Sequence, residues 1–238
     1  MSSQLFWEMN DPELVHFALN PCLCCQGLLD TLKKRIKMKF PKPNVYELYV
    51  KPNGKKSTFT ITNTAGKNKF EQEDIARGAK IYMLVSKDTG GTVNYVGQTI
   101  TSIQKRLYQG ISYQIYRWSK QINHYDLFVW NFSNLIGPSS SYSLDSIEAE
   151  LALATRVNQG EWPIFQTSIK FRWFALSSFG SSAQAIAPVM IEQLYEHLLA
   201  RGNISAHDIQ LLKEQKSRAK HLLEAMMIST QQPITIST

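Results

Sequence analysis

Asn53-Gly54 stands between two runs of strand-forming residues, Val45 to Val50 and Ser57 to Thr62, and it constrains the fold more tightly than any other local feature. A two-residue turn with positive φ at both central positions takes Asn and Gly readily, and its twist matches the strands it joins. Pro52-Asn53-Gly54-Lys55 therefore predicts an antiparallel hairpin. A second strand pair follows, Ile81 to Ser86 and Thr92 to Val96, around the turn residues Lys87-Asp88-Thr89-Gly90-Gly91. The segment Phe70 to Arg77 between the two pairs reads as helical.

The pattern then changes period. Ser102 to about Trp118 predicts a helix, Asp126 to Phe132 a strand, and Leu144 to Val157 another helix, with a polar loop through Pro138-Ser139-Ser140-Ser141 before it. The central order is thus β-β-α-β-α, an α+β arrangement with a small antiparallel sheet flanked by helices. Upstream, Asp11-Pro12-Glu13 opens a short helix toward Asn20. A second helix, Gln26 to Lys39, carries Leu28, Leu29, Leu32 and Ile36 at helical spacing and stops before Pro41 and Pro43. Downstream, Ile169 to Leu176 adds an edge strand. A helical hairpin follows: Ala187 to Ala200, a Gly202-Asn203 stop, then Ser205 with Asp208 opening a helix to about Met227. These readings divide the chain into a basic N-terminal region (1–78), a central core (79–176) and a C-terminal helical region (177–238).

Of the 238 residues 43% are hydrophobic and 11% aromatic, which excludes wholesale disorder. No run approaches the roughly 20 apolar residues that span a bilayer, and Met1 to Met9 carries Glu8 rather than a basic leader, so a soluble cytoplasmic protein is expected. Cys22, Cys24 and Cys25 are too close together for a disulfide framework. With His16 they lack the ligand-pair spacing of structural zinc, so they read as buried thiols. The net charge of +7 favours a polyanionic partner, and it is uneven. The stretch Lys33 to Lys80 holds half of the 26 Lys and Arg, but of the acids only Glu47, Glu71, Glu73 and Asp74.

The chemistry-bearing residues follow one another as Lys80-Ile81-Tyr82, a turn, Tyr95-Val96-Gly97-Gln98-Thr99, Gln104-Lys105-Arg106-Leu107, and Ser146-Ile147-Glu148-Ala149-Glu150. From Ala79 to Phe171 this resembles the GIY-YIG nuclease family. There, two strands each contribute a tyrosine, a helix an arginine about ten residues on, and a later helix a single glutamate. The resemblance implies the same β-β-α-β-α order and a site of Tyr82, Tyr95, Arg106 and Glu148. Glu148 would hold Mg²⁺ or Mn²⁺, and one of the tyrosines would help activate water.

The chain departs from the family at several positions. Lys80 stands where the family has glycine, and Gln98 where some members have lysine. Gly110 replaces the His or Tyr four residues after the arginine, leaving Tyr108, Tyr113 or His124 as substitutes. The later asparagine is missing, with Gln166 or Asn158 as stand-ins.

Physical chemistry agrees with the roles. Mg²⁺ keeps several waters and needs one or two carboxylates. An arginine fork matches a phosphate. A tyrosine, ordinarily titrating near pH 10, works as a base only beside cations or a metal. Glu148 and Glu150, two apart on a helix, face about 200° from one another, so only one can enter the site.

The expected activity is hydrolysis of double-stranded DNA. A homodimeric type II restriction endonuclease comes first, because about eighty residues precede the motif and about seventy follow it. Repair, homing or phage-type nucleases of the same family come next. The rival from another class is a basic nucleic-acid-binding domain whose tyrosines are structural.

Overall fold

In the computed structural model the residues described are 40–53, 56–87, 91–112, 119, 124–136, 141–166, 169, 180–200, 207, 209–217 and 221. The two N-terminal helices, the cysteines with His16, Lys33 to Lys37 and the edge strand from 170 onward lie outside them, and so does Tyr113. The described chain is α+β. Its strands are β1 (Asn44–Asn53), β2 (Lys56–Asn63), β3 (Lys80–Ser86), β4 (Val93–Thr99) and β5 (His124–Asn131). Its helices are α1 (Gln72–Ile75), α2 (Ile103–Ser112), α3 (Ser133–Ile136), α4 (Ser141–Gln159) and α5 (Gly180–Leu199).

The five strands form one sheet in the order β2-β1-β5-β3-β4, every neighbouring pair antiparallel. The expected hairpin forms, but one residue out of the register that an Asn53-Gly54 turn sets: Asn53 is itself a paired strand residue opposite Lys56, where the expected pairing is Pro52 opposite Lys55. Its first strand pairs with β5, so the hairpin and the core strands belong to a single sheet. Strand alternation separates two apolar faces. One face carries Ile81, Met83, Val96, Phe128 and Trp130 and is covered by Leu144, Ile147 and Leu151 of α4 with Met190, Ile191 and Leu194 of α5. The other carries Tyr46, Leu48, Tyr82, Leu84, Leu127 and Val129 and lies under Ile103, Leu107 and Ile111 of α2.

Besides α3, a four-residue helix that the sequence reading lacks, three elements differ from it. The helix expected over Phe70 to Arg77 is a single turn, Gln72–Ile75. Tertiary contacts pin that turn to β1: Tyr46 Oη accepts the Glu71 N–H at 2.9 Å and donates to Asp74 Oδ2 at 2.6 Å, and Phe70 packs edge-on against the Tyr46 ring. β4 runs on through Gly97 to Thr99, because Gly97 and Thr99 pair with Tyr82 and Lys80. α5 begins at Gly180 rather than Ala187, its buried stripe starting at Ala183 and Ile186 in a stretch whose serines read as loop.

The buried Tyr46 hydroxyl is bonded on both sides, so Tyr46→Phe takes the partner of the Glu71 amide and leaves Asp74 Oδ2 with the Asn44 bond alone. Leaving buried polar groups without partners costs about 1–3 kcal/mol. For a chain of this size that corresponds to a fall in Tm of about 2–4 °C per kcal/mol, read by thermal unfolding.

Candidate active site

Strand register brings together the two tyrosines of the expected site. Asn44, Val129, Tyr82 and Gly97 form one row across the sheet, and Tyr46, Leu127, Leu84 and Tyr95 form the next. Tyr95 stands two residues before Gly97 and therefore shares its face, the one covered by α2. The two tyrosine rings lie 6.0 Å apart, tilted at 45°.

Gly97 makes this approach possible. A Cβ at that position would come within 2.5 Å of Tyr82 Cζ, 2.6 Å of the Tyr82 hydroxyl and 2.7 Å of Tyr95 Cε1. The glycine is required here by space, since the Tyr82 ring folds over its backbone toward the outer strand β4. Tyr82 is fully buried, whereas Tyr95 is half-buried. A solvent molecule or phosphate entering from outside therefore meets Tyr95 first.

Arg106 arrives on α2, beside the buried Leu107 and itself half-buried, so it flanks the helix face that rests on the tyrosines. Glu148 comes from α4, on the opposite side of the sheet. Two contacts fix how α4 lies along β4: Gln98 Nε2 donates to Asp145 Oδ1 at 3.0 Å, and Gln159 Oε1 accepts the Val93 N–H at 2.6 Å. At about 100° per residue Glu148 lies only about 60° round the helix from Asp145 and about 20° from Gln159, whereas Glu150 is about 140° from Asp145 and about 180° from Gln159. Of the two glutamates Glu148 is the one turned toward β4.

The outer edge of β4 is closed by the segment after α4. The Phe165 N–H bonds Asn94 O at 3.0 Å, and Gln166 Oε1 accepts the Val96 N–H at 3.2 Å, between Tyr95 and Gly97. Of the two stand-ins for the missing asparagine, Gln166 is thus beside the tyrosines. Asn158 instead donates to Tyr195 Oη at 2.6 Å, between α4 and α5.

The substitutes for the residue replaced by Gly110 are placed differently. Tyr108 is 56% exposed, on the outer side of α2. His124 is five residues along β5 from Val129, about 16 Å away at strand rise. There it stacks on Tyr49 at 4.0 Å and bonds Glu47 at 3.0 Å.

Sequence reasoning gave no role to three groups that frame this region. Lys80, on the same strand face as Tyr82, is fully buried, and its Nζ donates to Ala76 O at 2.8 Å and Gly78 O at 3.3 Å. Burial lowers its pKa, with Asp74 nearby opposing the shift. Asp74 is fully buried, bonded to Tyr46 and Asn44, and burial raises its pKa. Asp145 is the third. Nothing in a one-dimensional reading separates these from solvent-facing charges, since each is buried by the meeting of distant segments.

The donor set suits a hard, hydrated cation. Among the described residues no three His, Cys, Asp or Glu side chains converge as a metal cage. Glu148 and Asp145, three apart on one helix face, are the carboxylates that could hold such an ion, since Mg²⁺ uses one or two. Comparison of the chain with protein-family models, curated proteins and solved structures finds no match.

Proposed function

We propose that this protein is a metal-dependent DNA endonuclease of the GIY-YIG kind, acting as a type II restriction endonuclease. The observation that carries the reading is the contact of Tyr82 and Tyr95 across Gly97, on the sheet face covered by the helix that bears Arg106. Support also comes from the element order β3, β4, α2, β5, α4, which is the order the resemblance implies.

In this reading Arg106 grips the scissile phosphate through its planar fork. Tyr95, the half-exposed tyrosine, orients the attacking water, and Tyr82 holds Tyr95 in place from behind. Glu148, with Asp145 one turn before it, would hold Mg²⁺ or Mn²⁺. The cation would supply charge stabilisation for the pentavalent phosphate and the leaving oxygen. Gln98 keeps Asp145 against β4, and Gln166 fixes the strand backbone between Tyr95 and Gly97. Cutting both strands of a duplex needs two such sites, so the working form is a homodimer with two-fold symmetry.

Purified protein with Mg²⁺ is expected to cut plasmid DNA into discrete fragments that do not change as enzyme is raised, and EDTA is expected to stop it. A smear would leave a nonspecific nuclease, and cutting confined to branched or damaged DNA would leave a repair role. The full burial of Tyr82 suits a second reading, a non-catalytic basic domain with packing tyrosines. Intact plasmid under every divalent metal would select it.

A further inference from the structure

The exposed positive charge of the described sheet region gathers at one end. Lys42 precedes β1, Lys67 and Lys69 lie in the turn after β2, Arg77 precedes β3, and Lys105 stands at the start of α2, just after β4; all five are exposed. Strand register accounts for the convergence. Asn63 at the end of β2 faces Tyr46, Asn44 at the start of β1 faces Val129, and Lys80 at the start of β3 faces both Asn131, which ends β5, and Thr99, which ends β4.

Local bonds hold the cations near the strand ends. Asn63 Oδ1 accepts the N–H groups of Ala65 at 3.1 Å and Lys67 at 2.8 Å, which folds the turn back on β2. The Gly78 N–H bonds Ile100 O at 3.0 Å and so brings Arg77 beside the start of α2. The exposed acids at this end, Glu71 and Glu73, each accept a bond from an asparagine, Asn63 and Asn44, and Asp74 is buried. At the opposite end of the sheet Lys51 is exposed, and Lys87 is paired with Glu47.

The row of Tyr82 and Gly97 lies two residues in from the basic end, about 7 Å at strand rise. Five strand ends at about 4.8 Å spacing span about 19 Å, which matches about five or six nucleotide steps along a duplex at about 3.4 Å each. We infer that one phosphate backbone of double-stranded DNA lies across this strip of Lys42, Lys67, Lys69, Arg77 and Lys105 and delivers its scissile phosphate to Arg106. The inference rests on the nuclease reading for the identity of the polyanion.

The test is equilibrium binding of the full chain to a short DNA duplex in EDTA, as a function of salt. Removing four charges with Lys67→Gln, Lys69→Gln, Arg77→Gln and Lys105→Gln is expected to weaken binding more than tenfold. The log-log salt slope should flatten by about 0.9 for each phosphate that is no longer neutralised. Lys51→Gln, at the other end, is expected to bind within about twofold of the parent, since it removes no charge from the strip. An unchanged slope in the fourfold variant, with its circular dichroism intact, overturns the inference, and so does an equal weakening from Lys51→Gln alone. The outcomes separate from those of the nuclease reading. If the fourfold variant binds and cuts like the parent, the strip falls and the nuclease stands. If the parent binds through the strip but cuts under no metal, the nuclease falls and the strip stands.

Discussion

Glu148→Gln is expected to abolish cleavage while leaving the fold and DNA binding in place. The substitution keeps shape and hydrogen-bonding capacity but removes the charge that, in the proposed reading, would hold a hard cation, and such a cation contributes several kcal/mol to a transition state. At about 1.4 kcal/mol per factor of ten, the loss in rate is about a thousandfold or more. Glu150→Gln, on the side of α4 turned from β4, should cut within a few-fold of the parent. Asp145→Asn keeps an acceptor for Gln98 and loses only charge, so it falls between them. Single-turnover cleavage, with circular dichroism and DNA binding in EDTA as controls, decides the matter. An inactive Glu150→Gln beside an active Glu148→Gln would mean that the phase of α4 deduced from Gln98–Asp145 and Gln159–Val93 is wrong.

What could be read from the chain was whatever is local or periodic. Asn53-Gly54 marked the hairpin because such pairs favour tight turns, although the register falls one residue away from the one they would set, and the nearly unbroken apolar runs of β3 and β5 follow from one sheet buried on both sides. The pairing of β1 with β5 was not legible, since no local signal chooses between partners some eighty residues apart. The same limit hid the site's frame. Helix phase admitted only one of Glu148 and Glu150, and the resemblance pointed to Glu148, but the Gln98–Asp145 bond that orients α4 depends on that helix lying along β4. Lys80 reads as a departure from a glycine and proves to be a buried tether for the loop before β3, a role set by carbonyls of Ala76 and Gly78 that the sequence does not place. Likewise the bonds that pin α1 to β1, from Tyr46 and Asn44 to Asp74 and from the Glu71 N–H to Tyr46, join segments that the sequence does not place together.

Gly97→Ala is expected to be among the most damaging single-methyl changes available. The added carbon would sit 2.5 Å from Tyr82 Cζ, and the Tyr82 ring is fully enclosed, so the ring or β4 must shift. Overpacking of this kind costs about 1–3 kcal/mol. Tm should fall by about 2–4 °C for each kcal/mol. Activity should fall further than stability, because moving a reacting group by about 1 Å can cost about a hundredfold. The cause can be isolated by a double-mutant cycle on thermal stability. In a Tyr82→Leu background the ring is gone, so the same Gly97→Ala change should cost much less, giving a coupling of about 0.5–3 kcal/mol. Additive effects, within about 0.5 kcal/mol, would mean that the glycine is not there to seat Tyr82, and the contact on which the site is built would lose its physical basis.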